Sequence, residues 1–140
     1  WDRAATVPNE AYPNPDWTVG LKAGRGEDGK IYVVDVVRDR MTPQGVHDLI
    51  LRTRKKDGVQ CRQLIEKDPG AAGKIESTFL RRDMAVGGYD CRIRAVTKDK
   101  LTRFLPFSAA AESGDVVVLR APWNESFFKL QTLAINLPFW

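Results

Sequence analysis

Cysteine, histidine and long apolar runs are scarce in this chain of 140 residues, and each scarcity removes a class of function. The two cysteines, Cys61 and Cys91, have neither the Cys-x-x-Cys nor the Cys/His spacing of a zinc centre. They read as reduced structural thiols, which implies an intracellular protein. The single histidine, His47, sits beside Asp48 and away from every other acid considered below, as a surface residue would. No apolar run reaches the ~20 residues that a membrane span requires, and Trp1-Asp2-Arg3 does not open a secretory leader, so a soluble domain without a membrane partner is expected. The chain also lacks Walker motifs, internal repeats and a low-complexity tail, so ATP hydrolysis is not expected of it.

What is present is charge and alternation. Twenty-two Lys+Arg against eighteen Asp+Glu leave a net charge of +4, which favours a polyanionic partner if the basic groups share a face. The length suits one domain, able to bury roughly two thirds of its unfolded surface.

Trp1 to Thr6 reads as a first strand, and the proline- and asparagine-rich stretch Val7 to Asp16 as a loop. Trp17–Leu21 and Ile31–Val37 flank the turn-rich Gly24–Gly29 and predict an antiparallel hairpin. Thr42-Pro43 predicts an N-cap and first helical residue, with Val46, Leu49, Ile50 and Thr53 at helical spacing until Gly58. A strand over Val59–Glu66, a helix carrying Ile75, Phe79 and Leu80, and a strand over Cys91–Val96 follow. Asp99–Ser113 reads as a helix disturbed by Pro106, Asp115–Arg120 as a buried strand, and Asn124 as the cap of a last helix. The expected fold class is α/β, a mixed sheet of about five strands with an antiparallel hairpin and helical crossovers, which suits a ribonuclease H-like fold.

Two acids stand where strands should be buried, Asp2 in the first and Glu66 closing Gln60–Glu66. Desolvating a carboxylate is costly, so a compensating cation is the first hypothesis for both. Asp16 is either a third oxygen ligand or an ordinary turn acid. Asp35, among valines, reads as a structural partner of Arg38 or Arg40, and Asp68, before Pro69, as a turn acid. Arg52 to Lys56 reads as the basic end of a helix, offsetting its dipole.

Several segments together resemble one family, the nuclease domain of the large terminase subunit of tailed bacteriophages. They are Trp1-Asp2 with Ala4-Ala5-Thr6, Asp16–Gly20, Tyr32–Arg38, Ile65–Gly70 with Gly73-Lys74, Lys98–Arg103, Ala111–Val116 and Pro122–Phe127, in order over nearly the whole chain. The resemblance implies an endonuclease cutting concatemeric double-stranded viral DNA with two Mg²⁺ or Mn²⁺ ions, in the cytoplasm of an infected bacterium. It implies a portal protein and a small terminase subunit as partners. It makes Asp2 and Glu66 the catalytic metal ligands. Lys74, Lys98, Lys100 and Arg103 are candidate contacts to DNA phosphates, because loops at strand ends beside the acids are where a DNA backbone would run, and the family pattern adds chiefly to Lys100 and Arg103. The family's third acid follows the last helix, whereas this chain ends at Leu137-Pro138-Phe139-Trp140, so residues 1–140 read as a single nuclease domain trimmed at both ends and without the preceding ATPase domain. A non-catalytic DNA-gripping or docking module of the packaging motor, and another ribonuclease H-like nuclease such as a resolvase or transposase core, are the alternatives.

Overall fold

The computed structural model describes residues 1–67, 71–95 and 99–128. Its elements run β1 (Thr18–Arg25), β2 (Ile31–Asp39), α1 (Pro43–Asp57), β3 (Gln63–Lys67), α2 (Ala71–Ala85), β4 (Cys91–Ala95), α3 (Lys100–Glu112) and β5 (Val116–Val118), with a further helical stretch at 124–128. Two compact units result, one of Trp1–Gly20 with Arg38–Thr97 and one of Leu21–Val37 with Lys98–Trp140.

In the first unit β3 and β4 pair in parallel, Gln63 with Cys91 through Lys67 with Ala95, and α2 is the crossover between them. Helix α1 starts as the sequence predicts: the Thr42 side chain accepts from the Gly45 amide, and proline occupies the first turn, where a missing N–H costs nothing. It ends at Gly58, whose φ of 80° is a conformation that glycine tolerates best. Val46 and Ile50 from α1, Ile65 from β3 and Leu80 and Met84 from α2 form the buried core. Arg54, one turn beyond Ile50, is also buried; its guanidinium donates to the Asp83 carbonyl and lies over the Tyr89 ring at 4.6 Å. His47 is half-buried, not on the surface, and its Nε2 meets Asp83 at 3.1 Å, tying α1 to α2. Arg38 and Arg40 both stack on the Trp17 ring, at 4.5 and 4.2 Å, while Asp35 Oδ1 accepts from the Val36 amide. Cys61 and Cys91 form no disulfide.

The second unit contains the turn between β1 and β2, where the Asp28 carboxylate accepts from the Lys30 amide and the Tyr32 hydroxyl. It also contains the parallel pairing of β2 with β5, Ile31 with Val116 through Val33 with Val118. Asp99 caps α3 through the Thr102 amide and hydroxyl. Asn124 is not the last helix's cap but lies within its first turn, accepting from the Ala121 amide and donating to the Leu119 carbonyl.

The strands form two sheets, β1-β2-β5 and β3-β4, in place of one sheet of about five. The expected first strand is short: Asp2 bridges antiparallel to Val19, and by Ala4 the Thr18 hydroxyl has replaced a backbone partner, accepting from the Ala4 amide and donating to its carbonyl. Likewise β3 begins at Gln63 because Val59 to Arg62 are spent in the turn after Gly58, closed by Cys61 N–H to the Gly58 carbonyl.

Candidate functional site

Trp1 and Asp2 lie between two strands of the first unit. On one side the Asp2 amide donates to the Val19 carbonyl at 3.0 Å and the Val19 amide returns the bond at 2.8 Å. On the other, the Trp1 amino group donates to the Leu64 carbonyl at 2.6 Å and the Glu66 amide to the Trp1 carbonyl at 3.3 Å. That second pattern is parallel pairing, which sets Trp1 opposite Ile65 and therefore Asp2 beside Glu66. Side chains alternate along a strand, so the two faces separate cleanly. Trp1 and Ile65 face the core, with the Trp1 indole N–H on the buried Gln63 side chain at 2.8 Å. Asp2, exposed, and Glu66, half-buried, share the other face.

Close packing of Trp1 fixes this register. A Cβ on Gly20 would come within 2.5 Å of the Trp1 ring, so only glycine lets β1 approach. Arg3 reaches the same strand end, donating to the Glu66 carbonyl at 3.3 Å.

Asp16 is exposed in the approach to β1, between buried Pro15 and half-buried Trp17. It precedes Asp2's partner Val19 by three residues, about 10 Å of extended chain. Among the described residues no group of three or more His, Cys, Asp or Glu could hold a metal ion, so Asp16 does not form such a group with Asp2 and Glu66. Of the basic candidates, Arg103 is exposed in the first turn of α3, in the second unit. Lys98 and Asp68 lie outside the described residues, as do the side chains of Lys74 and Lys100. Sequence reasoning passed over Arg94, which β3–β4 pairing sets directly opposite Glu66. The alternation Cys91-Arg92-Ile93-Arg94 signals a strand with one wet face, but not which residue it faces.

An antiparallel hairpin, a strand pair joined by a helical crossover, and a pair of carboxylates at adjoining strands define a ribonuclease H-like module. The family model for the Terminase RNaseH-like domain matches residues 1–130, and the chain belongs to that family. No curated protein and no solved structure matches it. Among the described residues no helix is long and apolar enough to cross a membrane.

Proposed function

We propose that this domain is the endonuclease of a phage DNA-packaging terminase, cutting concatemeric double-stranded DNA with divalent metal ions. The observation that carries the reading is the pairing that brings Asp2 beside Glu66 on the open face of adjoining strands, in a member of this family. Hard cations take oxygen ligands held by rigid elements, and strand pairing holds both carboxylates. The donor set therefore fits Mg²⁺ or Mn²⁺, with Asp2 and Glu66 as the holding residues and Asp16 as an outer candidate. Divalent ions in such a site supply an activated water and charge neutralisation at the leaving oxygen. The chain's own part is to fix both carboxylates by strand pairing, with Trp1 locked against Gly20 and Gln63 behind them. Lys74, Lys98, Lys100 and Arg103 would hold DNA phosphates, and the portal protein and small terminase subunit would be partners in the cytoplasm of the infected bacterium.

A test is Mn²⁺ titration of the wild-type chain and Glu66→Gln, paired with plasmid cleavage by both. The variant should bind Mn²⁺ at least about tenfold more weakly and lose cleavage. Wild-type cleavage by Glu66→Gln would overturn the assignment. The alternative reading is a non-catalytic DNA-gripping module of the packaging motor. Binding of duplex DNA by the wild-type chain without any metal-dependent cleavage would select it.

A further inference from the structure

We propose that Arg94 is a phosphate-contacting residue that holds the DNA backbone on the open face of β3 and β4, beside Asp2 and Glu66. The proposal deepens the nuclease reading and rests on it for the identity of the ligand.

Register supplies the first argument. Glu66 pairs with Arg94 and also neighbours Asp2, so Asp2, Glu66 and Arg94 form one row across three adjoining segments of the first unit. Neighbouring strands are about 4.8 Å apart, which puts the Arg94 backbone one strand from that of Glu66. Leu64 and Arg92 form the next row on the same face.

The second argument is commitment. Most guanidiniums of this unit are already engaged. Arg38 and Arg40 stack on Trp17, Arg54 is buried over Tyr89, and Arg3 bonds the Glu66 carbonyl. Arg62 grips Asp90 at 2.5 Å and holds that carboxyl below its usual range, and Arg92 lies 3.7 Å from the same carboxylate. Arg94 is exposed and, among the described residues, makes no ion pair or hydrogen bond. An arginine opposite an acid on a neighbouring strand would ordinarily pair with it. This one is left available.

Chemistry supplies the third. A row of carboxylates alone repels a phosphodiester, and a cation in that row offsets the repulsion at the strand's approach. Guanidinium suits this position because its planar fork takes two phosphate oxygens at once.

The experiment measures binding of the full chain to short duplexes of two unrelated sequences, in EDTA, over a range of salt concentrations. Arg94→Ala should lower the slope of log K against log salt by about one for both duplexes. Arg94→Lys, which keeps the charge, should restore most of the slope. Both variants should melt with the wild type, and Arg94→Gln, which keeps the stem, replaces the alanine variant if that fails to fold. A folded Arg94→Ala or Arg94→Gln with the wild-type slope, or a wild-type chain that binds neither duplex, overturns the proposal. Mn²⁺ titration of Glu66→Gln separates the two readings. Unchanged Mn²⁺ binding with a lost Arg94 contact sinks the metal assignment alone. Lost Mn²⁺ binding with an unchanged Arg94 slope sinks the phosphate contact alone.

Discussion

Helices α1 and α2 of the first unit and α3 of the second carry similar apolar periodicity, yet they meet different surroundings. In α1 the spacing Val46, Ile50, Arg54 is wholly buried, and in α2 Ser77, Leu80 and Met84 are. In α3 the stripe Leu101, Phe104, Leu105 stays 48, 37 and 56% exposed among the described residues. A helical pattern therefore tells which side of a helix would be covered, while the covering itself depends on distant chain. The first unit brings its own cover, because β3 supplies Ile65 and Trp1 packs beside it.

The sharpest way to break this comparison is to truncate one residue from each stripe. Ile50→Ala should cost about 2–5 kcal/mol in urea unfolding, since its site is sealed on all sides, whereas Leu105→Ala should stay within about 0.5 kcal/mol. Equal losses would show that α3 is as well covered as α1. A smaller effect is expected at Gly20, where a methyl group meets the Trp1 ring: Gly20→Ala should cost about 1–3 kcal/mol by overpacking. A variant melting with the wild type would mean that Trp1 does not seal the first unit.

The smallest effect concerns the Asp99 cap. Hydrogen bonds from the Thr102 hydroxyl and amide hold its carboxyl below the ordinary range. A depressed carboxyl pKa stabilises the fold above the unfolded value of about 3.9, and the gain is lost as pH falls through the folded value. Asp99→Asn keeps a capping oxygen without titrating. The melting difference between wild type and variant should then be flat above about pH 5 and shift against the wild type below about pH 4. A difference that does not move with pH would remove the cap's charge from the account.

Punctuation was the legible part of the fold. Thr42-Pro43, Gly58 and the hairpin turn act through local backbone chemistry, and each lies where the sequence puts it. Both strand-borne acids were legible for the same reason, as local exceptions to an apolar pattern. What alternation could not give was register: that Trp1 pairs opposite Ile65, and that Arg94 stands across from Glu66, depends on which residues of separate segments align. The Thr18 hydroxyl that ends the first strand at Ala4 was hidden likewise, since nothing nearby marks that threonine as a substitute for a backbone partner.

The bonds that hold Trp1 beside β3 span 63 residues of sequence. At roughly 5–20 residues per second, a ribosome needs on the order of 3–12 s to travel from one partner to the other. During that interval Asp2 can find Val19 but not Glu66, so the two carboxylates are kept apart until β3 has emerged. The pair of carboxylates is thus assembled late, by the last pairing that the Trp1–Asp2 segment makes.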